Sequence, residues 1–174
     1  MSIISRQFIG NLDFLDLLTA KFSNNSFPNS ILLSGPKGIG KNTFAYNLVK
    51  NIFEKKVKDN IDQHINLIYN YTHDNVRYLY KEFDEKTNKY KKHINVDQIR
   101  ELENFIYQLS LNNLPKIIII DSADELNNNS SNALLKILED PQKLTFFILI
   151  THNLSNLLPT IKSRCVKFYL ENPS

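Results

Sequence analysis

An α/β fold with a parallel central sheet, covered by helices on both faces, is predicted by three observations. Strand-like and helix-like segments alternate along the 174 residues. The strand-like runs Ile31–Ser34, Ile117–Asp121 and Thr145–Thr151 are almost continuously apolar, as strands buried on both faces must be. Three of the four glycines, Gly35, Gly38 and Gly40, fall between the first of these runs and a helix, so glycine is concentrated where the backbone needs unusual freedom.

Phe8, Leu12, Leu15, Leu18 and Phe22 recur at spacings of three and four, which predicts an amphipathic helix ending near Ser23–Asn25. Phe27-Pro28-Asn29-Ser30 reads as a turn, and Ile31–Ser34 as the first strand. After the glycine loop a helix runs from about Lys41 to Lys55 with Phe44, Leu48 and Ile52 on one face. Between Lys55 and Asn95, alternation over Ile65–Tyr71 and Val76–Phe83 predicts one or two strands with a polar tip at Asp84–Lys92. Helical period returns from Val96 to Leu109, with Asn95 as N-cap and Asp97 in the first turn. Ile117–Ile120 ending at Asp121 is the clearest buried strand. A helix over Ser130–Glu139, closed by Pro141, precedes the strand Thr145–Thr151, a short helical stretch near Leu154–Leu158 and a last strand, Val166–Leu170. No repeat or linker divides the chain, so one domain is expected.

Composition excludes several classes. With 42% hydrophobic and 22% charged residues the chain is ordinary globular material. The single cysteine, Cys165, rules out an internal disulfide, and no Cys/His cluster has zinc spacing; a reducing, cytoplasmic setting fits. No apolar run is long enough for a membrane span, and Met1 opens no signal segment. A net charge of +3 permits nucleic acid without arguing for it. The many Asn, Ile and Lys reflect a compositional bias, since the Asn are scattered rather than gathered in a tract.

The chemistry sits first in Gly35-Pro36-Lys37-Gly38-Ile39-Gly40-Lys41, a G-x-x-x-x-G-K loop between a strand and a helix. Such a loop aims successive backbone N–H groups and a helix N-terminus at phosphate oxygens, while Lys41 reaches the outer phosphates. A plain glycine turn is the bland alternative. One position departs from the pattern: Asn42 stands where a Ser or Thr hydroxyl binds Mg²⁺. Thr43 follows one residue on, a helical rotation of about 100° away. An amide oxygen ligates Mg²⁺ only weakly, so ATP with Mg²⁺ stays open as a ligand, and no dedicated metal site is expected. Asp121 ends its strand at the edge where α/β sheets place ligands. The next residue, Ser122, cannot replace the glutamate that activates water in P-loop ATPases that hydrolyse, having neither charge nor a suitable pKa. Asp124 and Glu125 read as cap and first-turn charges. Arg164 lies just before the last strand; it is either a surface charge or a guanidinium offered to a neighbouring subunit's phosphate.

Taken together, GPKGIGK, IIIIDSAD, SNALLKILEDP, LITHNLSNLLPTIKSRC and INVDQIREL resemble the bacterial clamp-loader subunits over nearly the whole chain. Within that AAA+ group the chain is most similar to the delta-prime branch of DNA polymerase III. Asn42 and Ser122 favour that branch over the hydrolysing gamma/tau branch. The resemblance implies a three-layer αβα P-loop domain over residues 1–174 and a degenerate nucleotide site of Gly35, Gly38, Gly40, Lys41, Asn42, Thr43 and Asp121. It implies that Arg164 is an arginine finger acting in trans, and that Thr151, His152 and Asn153 occupy the sensor-1 position. It also implies that the helix of Asn132, Leu135 and Lys136 packs on the sheet, with Lys136 near phosphates or DNA or on a solvated face. The family's four-cysteine zinc module would fall at about residues 55–95, where this chain has no cysteine, so zinc is not expected. The family's lid and collar domains are not expected in these residues.

Three functions follow for comparison. The favoured one is a non-hydrolysing clamp-loader subunit of DNA replication, working with gamma/tau and delta subunits, a sliding clamp and primed DNA. The alternatives are an active P-loop ATPase (a gamma/tau-like motor or a nucleotide kinase) and a folded remnant without activity. Lys55–Lys58 and Lys89–Lys92 would line a duplex or stand as solvated loops.

Overall fold

The computed structural model describes residues 11–108 and 113–171. A first helix, α1 (Leu12–Ser23), leads into strand β1 (Ser30–Ser34), and α2 (Lys41–Lys56) follows the glycine loop. Phe8 and Leu109, each expected in a helix, lie outside the described residues. Then come α3 (Ile61–Tyr69), β2 (Val76–Leu79) and a small antiparallel hairpin of β3 (Phe83–Asp84) and β4 (Lys89–Tyr90). Next are α4 (Val96–Tyr107), β5 (Lys116–Asp121), α5 (Asn128–Glu139), β6 (Thr145–Ile150), α6 (Pro159–Arg164) and β7 (Val166–Tyr169). Single 3-10 turns stand at Ala123–Glu125 and Leu154–Asn156.

Five strands form one sheet in the order β2-β5-β6-β1-β7, every neighbouring pair parallel. Strand β6 therefore separates the strand that feeds the glycine loop from the strand that ends at Asp121. The register brings Ile150 opposite both Leu33 and Asp121, so the C-terminal ends of the three central strands finish level. Alternate residues divide between two cores. Ile31, Leu33, Ile117, Ile119, Ile148 and Ile150 face α1, α2 and α3, whereas Leu32, Ile118, Ile120, Phe147 and Leu149 face α4, α5 and α6. The fold is the expected three-layer sandwich. Ile117–Ile120 are fully buried, and truncating any one to Ala costs about 2–5 kcal/mol.

Two expectations need correcting. The alternation over Ile65–Tyr71 predicts a strand, but most of this segment belongs to helix α3. Ile61, His64, Ile65 and Ile68 turn inward at spacings of three and four, with Ile68 fully covered, and a polar His64 at one inward position hides that period. Strand β2 does form, but it stops at Leu79, and the polar tip is the hairpin turn between Asp84 and Lys89. Secondly, the segment before the last strand is a helix, α6, opened by Pro159 at its first position, where a missing N–H costs nothing. At α5, Asn127 caps the helix by accepting from the Ser130 N–H, so the helix starts earlier than Ser130. Asn95 caps α4, as expected, and the structure adds a reciprocal box with Gln98.

Candidate functional site

The glycine loop sits at the C-terminal edge of β1, at the mouth of a cavity of about 500 Å³. Each glycine has a positive φ: Gly35 at 145°, Gly38 at 87° and Gly40 at 88°. At Gly35 a Cβ would come within 2.5 Å of the Leu170 carbonyl oxygen, so only glycine lets the exit of β7 press against the loop. Gly40 turns the chain into α2, placing Lys41, Asn42 and Thr43 in the first turn. All three line the cavity with Gly38, Gly40 and Asp121.

The Lys41 ammonium is nearly enclosed and donates to the carbonyls of Gly35 at 2.7 Å and Pro36 at 2.6 Å. Burial lowers its pKa, opposed by the charges of Asp121 and Asp124. Beside it, the Asn42 amide donates to Asp121 Oδ2 at 2.6 Å. The Tyr78 hydroxyl lies 2.9 Å from Asn42 Oδ1 and 3.0 Å from that same Asp121 oxygen. The amide and the carboxylate that would flank a magnesium ion are thus hydrogen-bonded to each other, with an N–H pointing at the carboxylate. This donor set does not fit Mg²⁺, which takes oxygen ligands in strict octahedral geometry. Burial, then the negative charge of Asp121, pushes the Tyr78 phenol far above its usual pKa, so it stays a donor.

Ser122, after Asp121, holds a left-handed backbone at φ 63° and lines the cavity. Asp124, expected to cap, accepts instead from the backbone N–H of His152 at 3.2 Å, tying the turn after β5 to the end of β6. Glu125 pairs with Lys81 at 2.8 Å. Of Thr151, His152 and Asn153, only His152 lines the cavity. Desolvation and the Lys41 charge lower its pKa, partly offset by Asp124 and Asp121. Thr151 is buried, and Asn153 caps the following turn through the Ser155 N–H.

Arg164 is elsewhere. It ends α6 just before Val166, which pairs with Ile31 at the beginning of β1, so it stands at the N-terminal edge of the sheet, opposite the loop. There it donates to the Thr160 carbonyl at 2.9 Å and to the Glu139 carboxylate. Asn132 and Lys136 are exposed on α5 and line no part of the cavity, while Leu134, Ile137 and Leu138 make the packed face of that helix and Leu135 is partly covered. The two lysine groups do not form one track. Lys55 and Lys56 end α2, whose 16 residues carry them about 24 Å from the loop, whereas the hairpin of Lys89–Lys92 borders the cavity through Tyr90.

Tyr71, Tyr78, Tyr80 and Tyr90 form a wall of the cavity that lies outside the loop and strand motifs. Ring centroids lie 5.0 Å apart for Tyr71 and Tyr78, and 5.4 Å for Tyr78 and Tyr80. The sequence carries a signal for it: five of the eight tyrosines fall between residues 69 and 90, and Tyr78 and Tyr80 share one strand face.

The model of the family described as DNA polymerase III, delta subunit, matches residues 10–174. The chain is similar to the DNA polymerase III subunit delta' of Pseudomonas aeruginosa, 36% identical over 143 residues, covering 80% of this chain and 42% of the relative. It is also similar to the subunit gamma of Buchnera aphidicola subsp. Schizaphis graminum, 28% identical over 165 residues, covering 95% and 44%. Among solved structures, a DNA polymerase III gamma subunit-related protein of Thermotoga maritima superposes with a TM-score of 0.69 at 24% identity, over 92% of this chain and 46% of that one. The Thermotoga maritima RuvB Holliday junction branch migration motor superposes with a TM-score of 0.58 at 19% identity, over 97% and 49%; at these identities the likeness is one of fold. The chain spans less than half the length of each of these relatives.

Proposed function

The chain belongs to the DNA polymerase III delta-subunit family, and from that premise we propose that it is a delta-prime-like clamp-loader subunit that does not hydrolyse nucleotide and lends Arg164 to a neighbouring ATPase. The observation that carries the first half is the hydrogen bond between the Asn42 amide and Asp121 Oδ2. In a P-loop ATPase a hydroxyl and an aspartate at these places hold the metal that neutralises developing charge on the phosphates. Here the pair satisfies itself, and Ser122 supplies no base. Both losses fall in one site while the fold around it is intact.

The second half rests on placement. At the opposite sheet edge from its own loop, Arg164 cannot serve its own cavity, whereas it is open to a phosphate held by an adjacent subunit. A guanidinium is suited to that task because its planar fork meets phosphate oxygens in pairs and stays charged at any working pH. Glu139 holds it across an exposed ion pair whose worth is at most about 1 kcal/mol, so exchange for a phosphate is inexpensive. The partners on this reading are gamma/tau and delta subunits, and through them the sliding clamp and primed DNA.

The test is reconstitution. Arg164→Ala in the assembled loader is expected to leave this subunit folded and to slow ATP hydrolysis by about 10³-fold, the scale of a lost arginine finger. An unchanged rate removes the finger assignment. Brisk Mg²⁺-dependent phosphate release from this chain alone would instead support a P-loop motor.

A further inference from the structure

Neither Arg164 nor the cavity uses the outer side of β7. That strand closes the sheet beside β1, and among the described residues no strand pairs with its other side. Five of the ten large apolar side chains exposed among the described residues lie here, Leu12, Phe14 and Leu17 on α1 and Val166 and Tyr169 on β7. We propose that this face is a two-fold interface at which β7 pairs antiparallel with β7 of a second copy of the chain, centred on Phe168. The proposal stands apart from the loader reading and is tested independently of it.

The backbone sets the register. The Leu170 N–H donates to the Ser34 carbonyl at 2.8 Å, and the Phe168 carbonyl accepts from Ser34 Oγ at 3.2 Å, so both residues aim their backbone groups at β1. Successive residues of a strand alternate, so Lys167 and Tyr169 aim theirs outward. An apolar strand that ends a sheet with such groups is a template for another strand. Centred on Phe168, Lys167 exchanges two N–H···O bonds with the partner's Tyr169, and Tyr169 two with the partner's Lys167. Centring on Lys167 would set two ammonium groups face to face. Centring on Tyr169 would call on the Glu171 carbonyl, which Asn11 of α1 holds at 3.1 Å.

The side chains fit the same two-fold. Phe168 faces the core on the α1 side of the sheet, where Phe14 meets it edge to face with ring centroids 6.1 Å apart. Phe14 and Leu17, three residues apart, therefore form a stripe on the flank of α1 toward the open edge. The acids Asp13 and Asp16 each precede that stripe by one residue, about 100° further round the helix and away from the core. A two-fold normal to the sheet keeps both α1 helices on one side of it, so the stripes converge over the paired Phe168 side chains. Leu17 is 46% exposed and Val166 47%, apolar surface that the contact takes from water. On the other side of the sheet Lys167 stands opposite the partner's exposed Tyr169, a cation set beside an aromatic ring. This self-complementarity singles out a second copy as the occupant: the same few residues supply both halves of every pair, and no like charges meet along the strand.

Sedimentation velocity of the chain over increasing concentration tests this directly. A contact of this size is expected to give a monomer–dimer equilibrium with a Kd of about 10–100 μM. Tyr169→Pro removes an outward N–H and leaves the ladder to β1 intact, so it is expected to weaken the dimer about tenfold with far-UV circular dichroism unchanged. The exposed Leu17→Ser, which touches no strand bond, should weaken it about threefold. Cross-linking reads the register. Facing residues of this kind bring their Cα atoms to about 4.5 Å, within disulfide reach, so Phe168→Cys is expected to join two chains under mild oxidation. Val166→Cys, which faces the partner's Leu170, is expected not to. A chain that stays monomeric up to about 300 μM overturns the proposal, and so does a dimer that Tyr169→Pro and Leu17→Ser both leave unchanged. Cross-linking through Val166→Cys in place of Phe168→Cys overturns it as well. A lone monomer whose two variants enter a reconstituted loader poorly would hand the face to another subunit, and that too overturns it.

Discussion

At the scale of single residues, the site turns on what replaces one hydroxyl. A threonine after the loop lysine would offer an oxygen to a metal; the Asn42 amide offers an N–H to Asp121 at 2.6 Å and so consumes the carboxylate. Tyr78 then closes the cluster from the edge strand. Asn42→Thr removes the donor facing Asp121 and restores a hydroxyl. The expected outcome is that Mg²⁺ tightens ADP binding by the variant at least tenfold over binding in EDTA, with no such gain in the native chain. Hydrolysis is not expected with it, because Ser122 still supplies no base. Parallel titrations of the two proteins with and without metal decide the matter; equal responses would mean that the amide is not what bars the ion. Asn42 and Ser122 are legible in the sequence because both belong to local motifs with fixed offsets. Tyr78 is not: it reaches Asp121 from 43 residues away, and only the position of β2 beside β5 makes them neighbours.

Among elements, legibility has a physical cause. Strands buried on both faces announce themselves by composition, so β1, β5 and β6 stand out in the amino-acid sequence alone. Short amphipathic segments do not. The nine residues of α3 have too few turns for a period of 3.6 to be distinguished from alternation when one inward position is a histidine. Helix α6, only six residues long, is obscured because Pro159 reads as punctuation rather than as a first helical residue. A further role invisible in the sequence belongs to Lys116, which looks like an ordinary polar strand boundary. Its side chain is buried, and its ammonium donates to the carbonyls of Phe105 at 2.7 Å and Ile106 at 3.0 Å, and to that of Gln108. Phe105 and Ile106 are in the last turn of α4 and Gln108 is its C-cap, so no later turn can satisfy these carbonyls. Lys116→Met is therefore expected to cost about 2 kcal/mol, by loss of charged hydrogen bonds to buried acceptors. A lowered urea midpoint with an unchanged slope would show it, and a change below about 0.5 kcal/mol would deny the lysine its capping role.

For the whole molecule, the two faces of the sheet are secured differently. The face of α4, α5 and α6 combines apolar packing with the buried Lys116, whereas the face of α1, α2 and α3 includes a buried histidine. His73 is 2% exposed and packs on Phe53 of α2 with ring centroids 4.6 Å apart. Its Nδ1 accepts from the Asn75 N–H at 3.0 Å, so its proton sits on Nε2, which donates to His64 Nδ1 of α3 at 2.7 Å. A second proton would have to enter at Nδ1, against a backbone donor. Burial first, then His64 and Arg77, hold the His73 pKa down to about 4, with Asp74 opposing. An unfolded histidine takes up its proton near 6.5, while the folded one does not until about 4. Neutral His73 thus contributes its full stability above pH 6.5, and that stability drains away as pH falls from 6.5 toward 4, reaching a loss of about 3 kcal/mol. His73→Gln keeps an acceptor for Asn75 and a donor for His64 but cannot titrate. Urea unfolding at pH 7 and pH 4.5 should show the native chain losing about 2–3 kcal/mol more than the variant between the two values. Identical losses would place the acid sensitivity in carboxylates elsewhere and leave this histidine a packing residue alone.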